Sequence, residues 1–338
     1  MIAQKIGDRK TFALTNVRAV AGRIVIASKI HMIDRRLFLQ TTLAATVAVP
    51  AATAQDAPNW GGNVIDIHLH FRPWVDTNWT HMKGCGVTHA VLLTRAPDEE
   101  KAKDAVTAHP KNYVRFSSAD VGKPEGIPTL RKSAAGGAIG FGEIKLHLAV
   151  DSAEMQRLYD LAAELQRPVL IHFADVPQFE GEGTFTSPFN HLPAMVKAHP
   201  KTTFIGHGDG FWANVSADFA NDTPYPTGKI KAGGISDKLL SDYPNMYGDM
   251  SANSGRNALA RDPEFMREFL KRHQNKLMFG SDCSCSDGRG KGQGSKQPLI
   301  AGKCVARETL TALKQMTTPE LFRKVAFENA VKLMKIKF

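Results

Sequence analysis

Residues Val64–Phe71 read VIDIHLHF, an apolar run that carries His68 and His70 on alternate positions. Side chains two apart on a β-strand point to the same face. The pattern therefore predicts a buried strand that presents Asp66, His68 and His70 together. Two neutral imidazoles at the end of such a strand are half of a site for a divalent metal such as zinc. The pair is not specific by itself. With 12 His among 338 residues, roughly 0.4 such pairs arise by chance, so the motif needs structural context.

Working outward, further apolar segments of strand length follow at His89–Leu93, Tyr113–Ser117, Gly140–Leu146, Pro168–Phe173, Thr203–His207, Met246–Met250 and Leu277–Asp282. Stretches between them, such as Ser152–Leu165 and Pro263–His273, space apolar residues three and four apart, as amphipathic helices do. Eight strands alternating with helices predict a closed parallel (β/α)8 TIM barrel in the α/β class. A doubly wound open sheet is the alternative, but no GxGxxG follows the first strand. Near the C-terminus, Thr318 reads as an N-cap and Pro319 as the first helical residue. Leu321, Val325, Asn329 and Leu333 then fall along one side of a last helix that closes the barrel.

Upstream of the barrel, Arg35 and Arg36 precede a short apolar run, Leu37–Val49, and an Ala52-Thr53-Ala54 site. These are the parts of a twin-arginine secretory signal, too short to span a bilayer. Residues 1–54 thus divide from a single mature domain, 55–338, with Met32 as the expected true start and the periplasm or exterior as the destination. The expected partners are the twin-arginine translocase and a small-molecule substrate. Residues 1–54 hold eight Lys+Arg and two Asp+Glu, so the formal charge of +10 falls to 10 − 6 = +4 after their removal. That balance argues against nucleic acid as a partner, and no later segment is apolar enough to cross a membrane.

Barrel enzymes place their chemistry at the C-terminal ends of the strands. There the chain carries His68 and His70 on the first strand and Glu143, Lys145 and His147 at the fourth. His172 ends the fifth, His207 the sixth and Asp282 the eighth. Such a gathering of imidazoles and carboxylates suits a borderline cation with an open position for water. Arg72, just past the HxH pair, has the planar fork that suits a substrate carboxylate, and Lys145 or His147 could grip one as well. Asp66, behind the ligands, is expected to fix a histidine ring or to set register at the barrel floor.

This constellation resembles the amidohydrolase superfamily, in the branch that includes the aminocarboxymuconate-semialdehyde decarboxylases and several lactone hydrolases. The resemblance spans about Val64 to Lys335 and includes LMFGSD at the eighth strand and FENAVKLM in the last helix. It implies Zn²⁺ or another divalent ion held by His68, His70, His172 and Asp282, with Asp282 also taking the proton of the attacking water. His207 is implied as a further ligand or as the residue that orients that water. Glu143 resembles the bridging Glu of TatD-like nucleases and Lys145 the carboxylated Lys of phosphotriesterase relatives, so a second ion is open, although one is expected. The reading is an exported metal-dependent hydrolase of a small ester, lactone or amide. Decarboxylation of an unsaturated or aromatic carboxylate and TatD-like phosphodiester cleavage are the alternatives.

Two further expectations concern the loops. Cys283 and Cys285 precede a Gly-rich loop and Cys304 follows it, with Cys85 standing apart. In an oxidising compartment a disulfide from Cys304 to Cys283 or Cys285 is expected to staple this loop near the site, while a second metal at the CxC pair has only two evident ligands. Trp74, Trp79, Phe179, Phe185 and Trp212 either line an aromatic pocket or pack their own loops.

Overall fold

The computed structural model describes residues 57–74, 76–183, 187–293 and 300–337. The twin-arginine signal, the start at Met32 and the cleavage site after Ala54 lie outside these. Every expected strand forms: β1 Ile65–His70, β2 His89–Arg95, β3 Tyr113–Ser118, β4 Gly140–Ile144, β5 Val169–His172, β6 Phe204–His207, β7 Met246–Asp249 and β8 Leu277–Met278. They pair in parallel in the order β1 to β8. The ring then closes through the Ile67 amide, which donates to the Phe279 carbonyl at 3.1 Å, and the Asp282 amide, which donates to that of His68 at 2.8 Å. The fold is a (β/α)8 barrel.

The helices start where local chemistry says they should. The Ser152 hydroxyl accepts from the Met155 amide ahead of helix Ala153–Leu165, and the Asp262 carboxylate accepts from the Phe265 amide ahead of Pro263–Arg272. Each cap satisfies a backbone donor that the helix itself leaves unpaired. The final helix begins at Pro319 behind the Thr318 cap. It passes through a wider turn at Lys324–Glu328 before Asn329–Met334, so the expected single helix is interrupted. Asn329 on its inner side donates to the carbonyls of Gln274 and Leu277, which ties the segment to the start of β8. Ala330, Met334 and Ile336 join Ile65, Val91, Phe116, Leu170 and Ile205 in one apolar cluster. Each fully buried large side chain there is worth about 1.5–3 kcal/mol. Among the described residues no helix is long and apolar enough to cross a membrane.

Two register shifts decide which side chains reach the barrel mouth. Asp66 pairs with Ala90 but Leu69 with Leu92, so three steps on β1 face two on β2. Likewise Phe141 pairs with Val169 but Ile144 with Ile171 across β4 and β5. A bulge of this kind re-aims the side chains beyond it. The two-residue rule therefore fails at both places, and Asp66 does not share the surroundings of the two histidines. Its carboxylate accepts instead from the amides of His68 and Ser281 and from the Ser281 hydroxyl.

Candidate active site

Glu143 stands at the centre of the strand-end residues. Its Oε2 lies 3.4 Å from His70 Nε2 and 3.9 Å from His68 Nε2. Its Oε1 lies 2.8 Å from His172 Nδ1 and 3.4 Å from His207 Nε2. Asp282 Oδ1 approaches the first pair, at 3.3 Å from His70 and 3.8 Å from His68. The donors thus fall into two groups of three, His68–His70–Asp282 and Glu143–His172–His207, each with its ligand atoms within 4.8 Å of one another.

Buried imidazole nitrogens usually have a partner. Yet Nε2 of His68 and Nε2 of His207 are buried without any hydrogen bond. The reason lies on the far side of each ring. His68 Nδ1 is 2.7 Å from Asp249 Oδ2, and Asp249 can only accept, so the proton sits on Nδ1. The Ser251 hydroxyl donates to the same carboxylate oxygen at 2.8 Å, and its oxygen faces His207 Nδ1 at 2.8 Å. That makes His207 a donor at Nδ1 as well. Both Nε2 lone pairs then point at the cluster, as metal ligands must. The donor set and its orphaned nitrogens fit a divalent cation.

Glycine is required where these strands meet. A Cβ on Gly280 would lie 2.4 Å from Asp249 Oδ1 and 2.8 Å from His68 Cβ, so a side chain there would push the brace from the ring. Asp282 follows with φ of 48°, in the left-handed region that Asp tolerates better than most residues.

The electrostatics describe a site in which protons do the work of a cation. Burial opposes charging His70, but hydrogen bonds to Asp282 and Glu143 outweigh it and push His70 up to about 10. His172 rises to about 9 against the same burial through Asp209 and Glu143. Glu143 is held well below the carboxylate range, although burial alone would raise it, by His172 and His70. His207 moves down, through burial and the neighbouring His68. A group raised on folding stabilises fully below its unfolded value and loses that contribution as the pH climbs through its folded one. Chelated protein is therefore expected to lose thermal stability between about pH 6.5 and 10 relative to metal-loaded protein. Melting curves with and without chelator check this, and parallel curves would contradict it.

The cluster opens on a cavity of about 560 Å³ that includes His70 and Glu143 and is walled by Arg95, Lys123 and Lys145 among others. Lys145 reaches this cavity, but it pairs with Glu182 at 3.0 Å rather than with Glu143. His147 is exposed, beyond the end of β4, and is not in the wall. Arg72 is not brought to the site either. Its guanidinium donates to the carbonyls of Cys283 and Cys285 and so holds the loop after β8. No aromatic residue among the described ones lines this cavity. Trp212 is buried and donates to the Asp249 carbonyl, Trp79 stacks on His109 at 4.5 Å, and Trp74 and Phe179 are exposed. Phe185 lies outside the described residues.

The sequence reading missed Asp249, Ser251 and Arg95. Asp249 was open to the same question asked of the other strand ends, since a charged residue closes the seventh strand. Arg95 lies two residues past the expected end of β2, and nothing local marks Ser251.

A parallel barrel with imidazoles and carboxylates converging at its mouth defines a metal-dependent enzyme. The chain belongs to the amidohydrolase family, whose model, described as "Amidohydrolase", matches residues 81–336. Its superfamily comprises metal-dependent hydrolases and decarboxylases. Among solved structures it is similar to a probable 2-pyrone-4,6-dicarboxylic acid hydrolase from Acinetobacter baumannii, at 15% identity and a TM-score of 0.54 over 81% of this chain and 100% of that one. It is also similar to 5-carboxyvanillate decarboxylase from Sphingomonas paucimobilis, at 13% and 0.53 over 81% and 99%. The same enzyme from Novosphingobium aromaticivorans, solved with manganese and a nitrobenzoic acid, matches at 12% and 0.52 over 83% and 98%. No curated protein matches the chain in sequence. At these identities the likeness shows the fold.

Proposed function

We propose that this enzyme hydrolyses a lactone, ester or amide bond in a small molecule that bears a carboxylate. The observation that carries the reading is the convergence of Glu143, Asp282 and four histidines on one cluster, which meets, through His70 and Glu143, a cavity that also holds Arg95, Lys123 and Lys145. His68, His70 and Asp282 would hold a divalent ion, zinc or another borderline metal, and Glu143, His172 and His207 a second. Six donors exceed the four of tetrahedral zinc, and their division between the two oxygens of Glu143 supports two ions over the one expected from sequence. When bound, the metal supplies Lewis acidity toward a carbonyl oxygen and makes water acidic enough to attack near neutral pH.

The chain's own residues do the rest. Asp282 is held ionised, because His68 and His70 outweigh the effect of burial. With its side chain 30% exposed, it can take the proton of the attacking water and return it to the leaving group. His207 directs Nε2 inward under the control of Ser251. Arg95 and Lys145 lie on the cavity wall, where they can pair with the substrate's carboxylate and turn its scissile bond toward Glu143. Turnover in ¹⁸O-labelled water tests the reading on a panel of lactones, esters, amides and aromatic carboxylates. Hydrolysis places one labelled oxygen in the product acid. Release of CO₂ with no labelled oxygen in the organic product would replace this reading by decarboxylation, which the similar aromatic decarboxylases keep in view.

A further inference from the structure

A second group of ligands lies outside the cluster just described. His81, in helix Thr77–Cys85, meets Cys283 and Cys285 from the loop after β8 and Cys304 from the residue that precedes helix Val305–Met316. All four side chains are buried. Cys283 Sγ lies 3.3 Å from Cys285 Sγ and 3.9 Å from Cys304 Sγ, and Cys285 Sγ lies 3.4 Å from His81 Nδ1. The four ligand atoms are all within 4.8 Å of one another.

These separations decide between the available chemistries. A disulfide needs its sulfurs at about 2.05 Å, and all four cysteines of the chain are free. The disulfide expected from the spacing is therefore not formed. Tetrahedral zinc, with Zn–S of about 2.3 Å and Zn–N of about 2.0–2.1 Å, puts its ligand atoms about 3.5–3.8 Å apart. The observed distances bracket that range. Thiols are weak hydrogen-bond donors and acceptors, so mutual hydrogen bonding gives three of them little reason to gather in a buried place.

We propose that His81, Cys283, Cys285 and Cys304 form a closed, four-ligand structural site for zinc, separate from the active site and sharing no residue with it. His81 Nδ1 would bind the ion in place of its present 3.0 Å contact with the Cys285 carbonyl. The ring proton then sits on Nε2, which faces Cys85 Sγ at 3.8 Å. That accounts for the fourth cysteine as the partner of the ligating ring. Binding displaces the three thiol protons to solvent, and no redox step is involved. With no fifth position for water, the ion has no chemistry to perform. It fastens helix Thr77–Cys85 and the segment before Val305 to the residues that directly follow Asp282, whose carbonyls Arg72 already holds.

Cobalt distinguishes this site from the active site, because only the cysteine cluster contains sulfur. Reduced, chelator-stripped protein titrated with Co²⁺ is expected to gain a near-ultraviolet thiolate-to-cobalt charge-transfer band together with the intense visible bands of tetrahedral cobalt. Zn²⁺ should displace both. A Glu143→Ala chain should keep them and a Cys304→Ser chain should lose them. Should Cys304→Ser fail to fold, the wild type alone decides. Four titratable thiols in denaturant with no charge-transfer band would overturn the site in favour of plain thiols. Two missing thiols without reductant would overturn it in favour of a disulfide.

Discussion

Glu143→Ala is expected to lose one metal ion per chain relative to wild type and at least ~10²-fold in turnover. The loss of a residue that merely supports a metal ligand already costs about 10–100-fold, and Glu143 lies among the ligands themselves. The carboxylate is nearly buried and its two oxygens face different histidine pairs, His68 with His70 on one side and His172 with His207 on the other. Without it, one group of three donors keeps Asp282 as its anion and the other keeps only imidazoles. Elemental analysis of the two proteins reads the difference directly, and zinc in the cysteine cluster contributes equally to both and cancels. Stability should fall too, because removing one partner of a buried charged cluster costs on the order of 3–5 kcal/mol when no metal replaces the lost charge. Glu143→Gln keeps the shape and removes the charge, so it separates packing from ligation. An unchanged metal content with turnover within a few-fold of wild type would remove Glu143 from the site.

What could be read in the sequence followed from local rules, and what could not followed from where those rules break. The eight strands were legible because each is a short apolar run bounded by polar residues, and the cap at Thr318 because capping depends on a few neighbouring atoms. His68, His70, His172, His207 and Asp282 were legible as strand-end residues. While Lys145 does reach the cavity beside Glu143, the same alternation rule misplaced Asp66 and His147. It assumes an unbroken ladder, and β1 and β4 each carry an extra residue beside the site. Arg72 was assigned to a substrate because its fork suits a carboxylate, yet the nearest acceptors are two backbone carbonyls that come from more than two hundred residues away. His81 carried no signal at all. It became a partner of Cys285 only when helix Thr77–Cys85 packed against the loop after β8. Long-range encounters of this kind have no local signature, and both groups of ligands depend on them.

Asp249→Asn is expected to weaken metal binding by about 10–100-fold, the usual effect of removing a carboxylate behind a ligating imidazole. Turnover should fall with it and recover in part in excess metal. The wild-type carboxylate is fully buried and held ionised, since His68 and His207 outweigh the effect of burial. An ionised carboxylate only accepts, and that forces a donor onto His68 Nδ1 and lets Ser251 do the same for His207. An amide has both a donor and an acceptor end. It can present its NH₂ to His68 Nδ1, which moves the ring proton to Nε2 and points an N–H where a lone pair is needed. A merely structural role predicts a different result, a lower melting temperature with metal affinity unchanged. Competition with a chelator of known affinity, run beside a melt of the chelated protein, separates the two. Ser251→Ala refines the assignment. It leaves His68 braced by Asp249 at 2.7 Å and leaves His207 with only the longer 3.4 Å approach of the same carboxylate, so its effect on metal affinity should be the smaller of the two. If Ser251→Ala weakens metal binding more than Asp249→Asn does, then His207 rather than His68 is the ring whose tautomer controls the site.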